Sequence, residues 1–139
     1  EGGDKVVLSM TSKKLKELGW NHSFKNIPAA YLAGLMLGKM ALANGVGEVI
    51  PDIGFHSVTK GGKIFAAIKG AKDAGLNVQV SDDVVPSSDA ITGSKIATYA
   101  KAAKPGQFAN IGAAAVMIAE DFEKTKAAIA AWQFKKAAK

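Results

Sequence analysis

The chain has 139 residues, 48% of them hydrophobic, which is enough for one domain with its own core and too apolar for a disordered segment. It contains no cysteine, which excludes disulfides, thiolate metal sites and cysteine nucleophiles. Eighteen basic against twelve acidic residues leave a formal charge of +6, and every basic residue is lysine. The excess favours an anionic partner as much as it favours a solvated surface, and lysine meets phosphate as a point charge, without arginine's planar fork.

Glu1 to Asp4 show neither the basic start nor the apolar stretch of a secretory signal, and the absence of an initiator methionine is expected of a chain that begins part-way through a longer protein. Lys5 to Ser9 reads as a short strand. Thr11 or Ser12 is placed to cap a helix through Leu18, with Gly19 as its stop. A polar loop with Trp20 and Phe24 follows, and Pro28 then suits the first turn of a helix that runs to about Asn44, ended by Gly45. Lys39 is the only charge on that helix, so most of its circumference should be buried. Its apolar run, about Ile27 to Gly38, is too short to span a bilayer, so no membrane association is expected. Gly34 and Gly38 then imply close packing of a soluble helix on the sheet.

Glu48 to Ile53 reads as a strand made irregular by Pro51, which has no N–H for a ladder. After the loop Gly54 to Gly62, a helix is expected from Lys63 to Ala74, with Ile64, Ala67, Ile68 and Ala71 as its apolar stripe. Leu76 to Val80 reads as a third strand, Ser81 to Ser88 as a loop, and Gly93 to Lys104 as a helix buried through Ile96, Tyr99, Ala100 and Ala103. Pro105 and Gly106 break it. A last helix carries Ile118, Phe122, Thr125, Ile129 and Trp132 at helical spacing, with acids early (Glu120, Asp121, Glu123) and lysines late (Lys135, Lys136, Lys139), as a helix dipole prefers. The expected fold class is α/β: a small mixed sheet of short, partly parallel strands packed with helices, over residues 1–104, plus a C-terminal helical extension over 105–139. The sheet is thin for so many helices, so strands preceding Glu1 or a covering partner are expected.

Candidate chemistry is sparse. Gly61-Gly62-Lys63 has the flavour of a phosphate loop, but Ser57 and Ile64 stand where the full pattern needs glycine and a hydroxyl residue. What survives is a basic, glycine-containing turn, Thr59 to Lys63, ahead of a helix start, where free N–H groups attract phosphate. Asp52 and His56 do not share a helix face, and His22 lies in another loop, so no metal site or catalytic pair is expected. Trp20, Phe24 and Tyr31 read as core or staple residues rather than base-stacking ones. The nearby Lys13, Lys14, Lys16 and Lys25 form a basic patch or a solvated face.

The order and spacing of Gly19-Trp20, NxPAAYLxG at 26–34, DIG at 52–54, TKG at 59–61, FAxxKGA at 65–71 and DAGLNV at 73–78 resemble the archaeal branch of the large-subunit ribosomal protein L-eighteen family. The resemblance continues more weakly through GxxIAxYA at 93–100, Gln107-Phe108 and the final helix. It implies a non-enzymatic α/β protein of the cytoplasmic ribosome that binds 5S rRNA and helps anchor it in the central protuberance, beside large-subunit rRNA and neighbouring ribosomal proteins, with no cofactor. It further implies RNA contacts at Lys25, Asn26, His56, Thr59, Lys60, Gly61 and Lys63. Family members carry a basic N-terminal segment and two earlier strands, and this chain starts after the matching point. Pro51 and the lack of arginine depart from the family pattern. Two further readings are a small α/β enzyme or ligand-binding protein with a phosphate site at Gly61 to Lys63, and an interaction module that buries its sheet edge on a partner.

Overall fold

A computed structural model describes residues 2–102 and 112–132. It is a helix-rich α/β structure with the order α1 (Ile27–Ala43), β1 (Glu48–Val49), α2 (Lys63–Asp73), β2 (Asn77–Val78), α3 (Ser88–Thr92), α4 (Ser94–Ala102), α5 (Gly112–Val116) and α6 (Ile118–Ala131), with 3₁₀ turns at Ser12–Leu18 and Asp82–Val84. The two strands pair in parallel, Glu48 with Asn77 and Val49 with Val78, with α2 as the crossover between them. No described helix is long and apolar enough to cross a membrane.

Three expectations about strands are corrected. Lys5 to Ser9 forms no strand: Val6 and Val7 stay exposed, and no neighbouring strand offers a ladder there. β1 stops at Val49, because Ile50 points to solvent and Pro51 cannot donate. β2 covers only two of the five expected residues. Among the described residues the sheet is therefore a two-stranded parallel pair, not a mixed sheet of three.

Helix boundaries follow local chemistry more closely. Gly19 closes the first 3₁₀ turn at φ +89°, donating its N–H to the Lys16 carbonyl at 3.1 Å. Asn26 caps α1 by accepting the Ala29 N–H at 2.9 Å, two residues before Pro28 enters the first turn. Nine of the seventeen α1 residues are buried, as a nearly uncharged helix requires.

Gly34 and Gly38 pack on α2 and not on the sheet, which corrects the expectation. A Cβ at Gly34 would overlap the Ala67 carbonyl, and one at Gly38 would stand 2.7 Å from the Ala74 Cβ. Gly70 replies from α2, where a Cβ would overlap the Tyr31 carbonyl. The two backbones thus touch directly. α2 consequently buries two faces. Ala66 and Gly70 belong to the α1 side, while Ala67, Ile68 and Ala71 border an open apolar hollow of about 430 Å³ together with Leu8, Val49 and Val78.

The main core gathers Leu15, Trp20, Leu32, Leu35, Ala66, Ile118, Phe122 and Ile129, so α6 shares one core with the entry to α1. Ile118, Phe122, Thr125 and Ile129 are buried at the expected spacing, but Trp132 lies beyond the helix end and is exposed. Tyr99 is also exposed, and Ala97 takes the buried place on α4. The expected positions Ala103, Lys104, Pro105, Gly106, Gln107, Phe108, Lys135, Lys136 and Lys139 lie outside the described residues.

Polar groups fasten the layers. The nearly buried His22 donates Nε2–H to Asp121 at 2.8 Å, tying the loop before α1 to α6. That hydrogen bond holds the Asp121 carboxyl below its ordinary value against the opposing effect of desolvation. Tyr31 donates its hydroxyl to Asp73 at 2.9 Å, and burial, reinforced by Asp73, pushes its phenol well above the usual range.

Candidate nucleic-acid interface

Three helices begin around one hollow. α1 starts after Asn26, α2 after Gly62 and α4 at Ser94. Lys25, Lys63 and Lys95 stand at these three starts. With Asn26, Gly62 and an apolar floor that includes Ile27 and Ile96, they surround a space of about 420 Å³. The described ion pairs involve none of these three lysines. A cation at a helix N-terminus opposes the helix dipole and costs about 0.3–1 kcal/mol. Three such placements at one point work against stability and add to the local positive potential, an arrangement that favours a bound anion over a plain solvated face.

The fold therefore joins two regions that are far apart in sequence, Lys25-Asn26 and Gly62-Lys63, and adds Lys95, which the sequence reading left without a role. A signal for Lys95 was present. It follows Gly93, a helix-stop residue (φ +82° at the end of α3), and sits in the first turn of the next helix, where a lysine is unfavourable. The residues beside the three lysines have different standing. Asn26 spends its side-chain oxygen on the cap, so its contribution is to shape the start of α1. Gly62 offers no side chain, and the first turn of α2 receives no side-chain cap.

The preceding turn is built tightly. The Thr59 carbonyl accepts the Gly62 N–H at 3.0 Å, and a Cβ on Gly62 would stand 2.8 Å from that carbonyl oxygen. Gly61 takes φ +70°, a left-handed conformation natural to glycine, and donates its N–H to the Val84 carbonyl at 2.9 Å. Lys60 reaches Asp83 at 3.1 Å, and Lys72 reaches Asp82 at 3.6 Å. Both partners of the Lys60 pair are well exposed, so it is worth no more than about 1 kcal/mol and yields readily to a stronger anion. Thr59 itself is exposed.

His56 does not join the lysine hollow. It lies with Asp52, Ile53, Gly54 and Phe55 around a second, shallower one. Asp52 accepts the Gly54 N–H at 2.9 Å and so serves the turn. Trp20 and Tyr31 are buried, as their reading as core residues expects, and are unavailable to a base. Phe55, to which the sequence reading gave no role, is fully exposed.

The fold and this surface define a lysine-rich α/β protein in which three helix starts meet at one basic hollow. No family model matches the chain. It is 48% identical over 102 residues to the large ribosomal subunit protein uL18 of Thermofilum pendens, covering 73% of this chain and 52% of that protein. It is 44% identical over 133 residues to uL18 of Methanosphaera stadtmanae, covering 91% of this chain and 69% of that protein. With uL18 of Methanothrix thermoacetophila the identity is 46% over 97 residues, covering 70% and 57%. The chain belongs to the uL18 family of large ribosomal subunit proteins. It spans from about half to about two thirds of the length of these relatives.

Proposed function

We propose that the protein is a non-catalytic constituent of the large ribosomal subunit in the cytoplasm. It binds 5S rRNA and helps hold it in the central protuberance, against large-subunit rRNA and neighbouring ribosomal proteins. The observation that carries this reading is the meeting of Lys25, Lys63 and Lys95 at three helix starts, on a chain whose relatives are named large ribosomal subunit proteins. Lys63 and Lys95, with Lys25 beside them, neutralise backbone phosphates. Lys60 exchanges Asp83 for another phosphate, Gly61 and Gly62 let the strand come close, and Thr59 and His56 flank it. Binding of this kind is read through backbone charge and RNA shape, because lysine lacks arginine's two-pronged contact to guanine. The basic loops fall within residues 1–104, the rRNA-binding part in this proposal, and α6 packs into the same core. No cofactor is required.

The test is binding of the chain to archaeal 5S rRNA against an unrelated RNA of equal length, at low and moderate salt. Preference for 5S rRNA that persists at moderate salt is the expected result. Equal, salt-labile binding to both RNAs would reduce the surface to a general polyanion binder. Saturable binding or turnover of a small phosphorylated compound without RNA binding would replace the ribosomal reading altogether.

A further inference from the structure

We propose that Phe55 is a stacking platform for an unpaired RNA base, set on the same loop that leads into the phosphate-binding lysines; the inference rests on the RNA-binding reading above. The ring is fully exposed, at 111% of the reference area, so it does nothing for the core. Its backbone is nevertheless held in shape. The Asp52 carboxylate accepts the Gly54 N–H at 2.9 Å, Gly54 turns the chain at φ +57°, and His56 donates its N–H to the Ile53 carbonyl at 3.3 Å. An ordered turn that pushes an aromatic ring into water presents that ring to a partner.

The surroundings select what kind of group meets it. The hollow at Phe55 is lined by Asp52, Ile53, Gly54 and His56 and contains a carboxylate but no lysine. A phosphate is repelled there. A nucleobase is not, since it lays a neutral π-face on the phenyl ring and offers amino hydrogens to a carboxylate. Lys60 and Lys63 follow five and eight residues later, so their Cα atoms lie within roughly 18 and 29 Å of that of Phe55 even for a fully extended chain. A single strand whose phosphates run over the lysines thus has its bases within reach of the ring. Ile50 and Val58 are exposed on the same loop and would suit an apolar protein patch. The continuity of this loop with the basic turn favours RNA.

The experiment measures 5S rRNA affinity across a salt series for the unaltered chain, Phe55→Ala, Phe55→Leu and Phe55→Trp. The position buries nothing, so the variants keep the fold, as far-UV circular dichroism checks. Loss of a stacked base weakens binding roughly tenfold or more in Phe55→Ala. The slope of log affinity against log salt stays unchanged, because the ring carries no charge. Trp restores affinity and Leu does not. Equal affinity of Phe55→Ala and the unaltered chain, in a chain that does bind 5S rRNA, overturns the stacking role and leaves the ribosomal reading intact. So does rescue by Leu as complete as by Trp. If the unaltered chain fails to bind 5S rRNA, the ribosomal reading falls and this one with it.

Discussion

Lys63 shows at a single residue how the proposed RNA contact and stability oppose each other. It is the first residue of α2, where a positive charge meets the positive end of the helix dipole. Lys63→Glu is expected to stabilise the chain by about 0.3–1 kcal/mol while weakening RNA binding at low salt; paired thermal melts and binding titrations check both signs together. The His22–Asp121 pair is the opposite case, a contact that serves the fold alone. Because the hydrogen bond from His22 depresses the folded-state pKa of Asp121 below its ordinary value of 3.8, the pair contributes stability above that value. The contribution is lost as pH falls through the lower folded-state value. Urea midpoints of the unaltered chain and Asp121→Asn should therefore differ at neutral pH and converge in the acid range below 3.8; a gap of constant size would show that Asp121 acts through packing alone.

At the scale of elements, the contact between α1 and α2 is set by glycines. Gly70→Ala would push a methyl group into the Tyr31 carbonyl. Such overpacking costs about 1–3 kcal/mol. Gly47→Ala is a matched control, because nothing lies within 4 Å of its Cβ position. Chemical denaturation should separate the two variants clearly, and equal midpoints would mean that the helices can slide apart at little cost. These elements differ in how far the sequence announced them. The start of α1 was legible from Pro28, and its end near Gly45, because helix starters and breakers act within a few residues. The α6 core face was legible from the spacing of Ile118, Phe122, Thr125 and Ile129. The strands were not. An apolar run such as Lys5 to Ser9 becomes a strand only if another strand lies beside it, and that is a property of the fold, not of the run.

For the whole molecule, the lysine hollow is the feature on which affinity should depend. The triple substitution Lys25→Ala, Lys63→Ala, Lys95→Ala is expected to lower the salt slope of RNA binding by about three at most, one per phosphate contact. Lys13→Ala, Lys14→Ala and Lys16→Ala together, on the first 3₁₀ turn, serve as a charge-matched comparison. An equal loss from both sets would mean that net charge alone governs binding. By itself the sequence determined the ends of α1 and α2, the predominance of lysine charge and a basic glycine turn ahead of α2, since each depends on residues close together in the chain or on composition. The order and spacing of its motifs also carried the family likeness. Only the tertiary structure decided that Lys25 and Lys95 join Lys63, that Asp83 pairs with Lys60, that Gly34 faces α2 rather than the sheet, and that Phe55 stands exposed. Those outcomes depend on which surfaces meet across separations of tens of residues, and local propensity and periodicity carry no information about that.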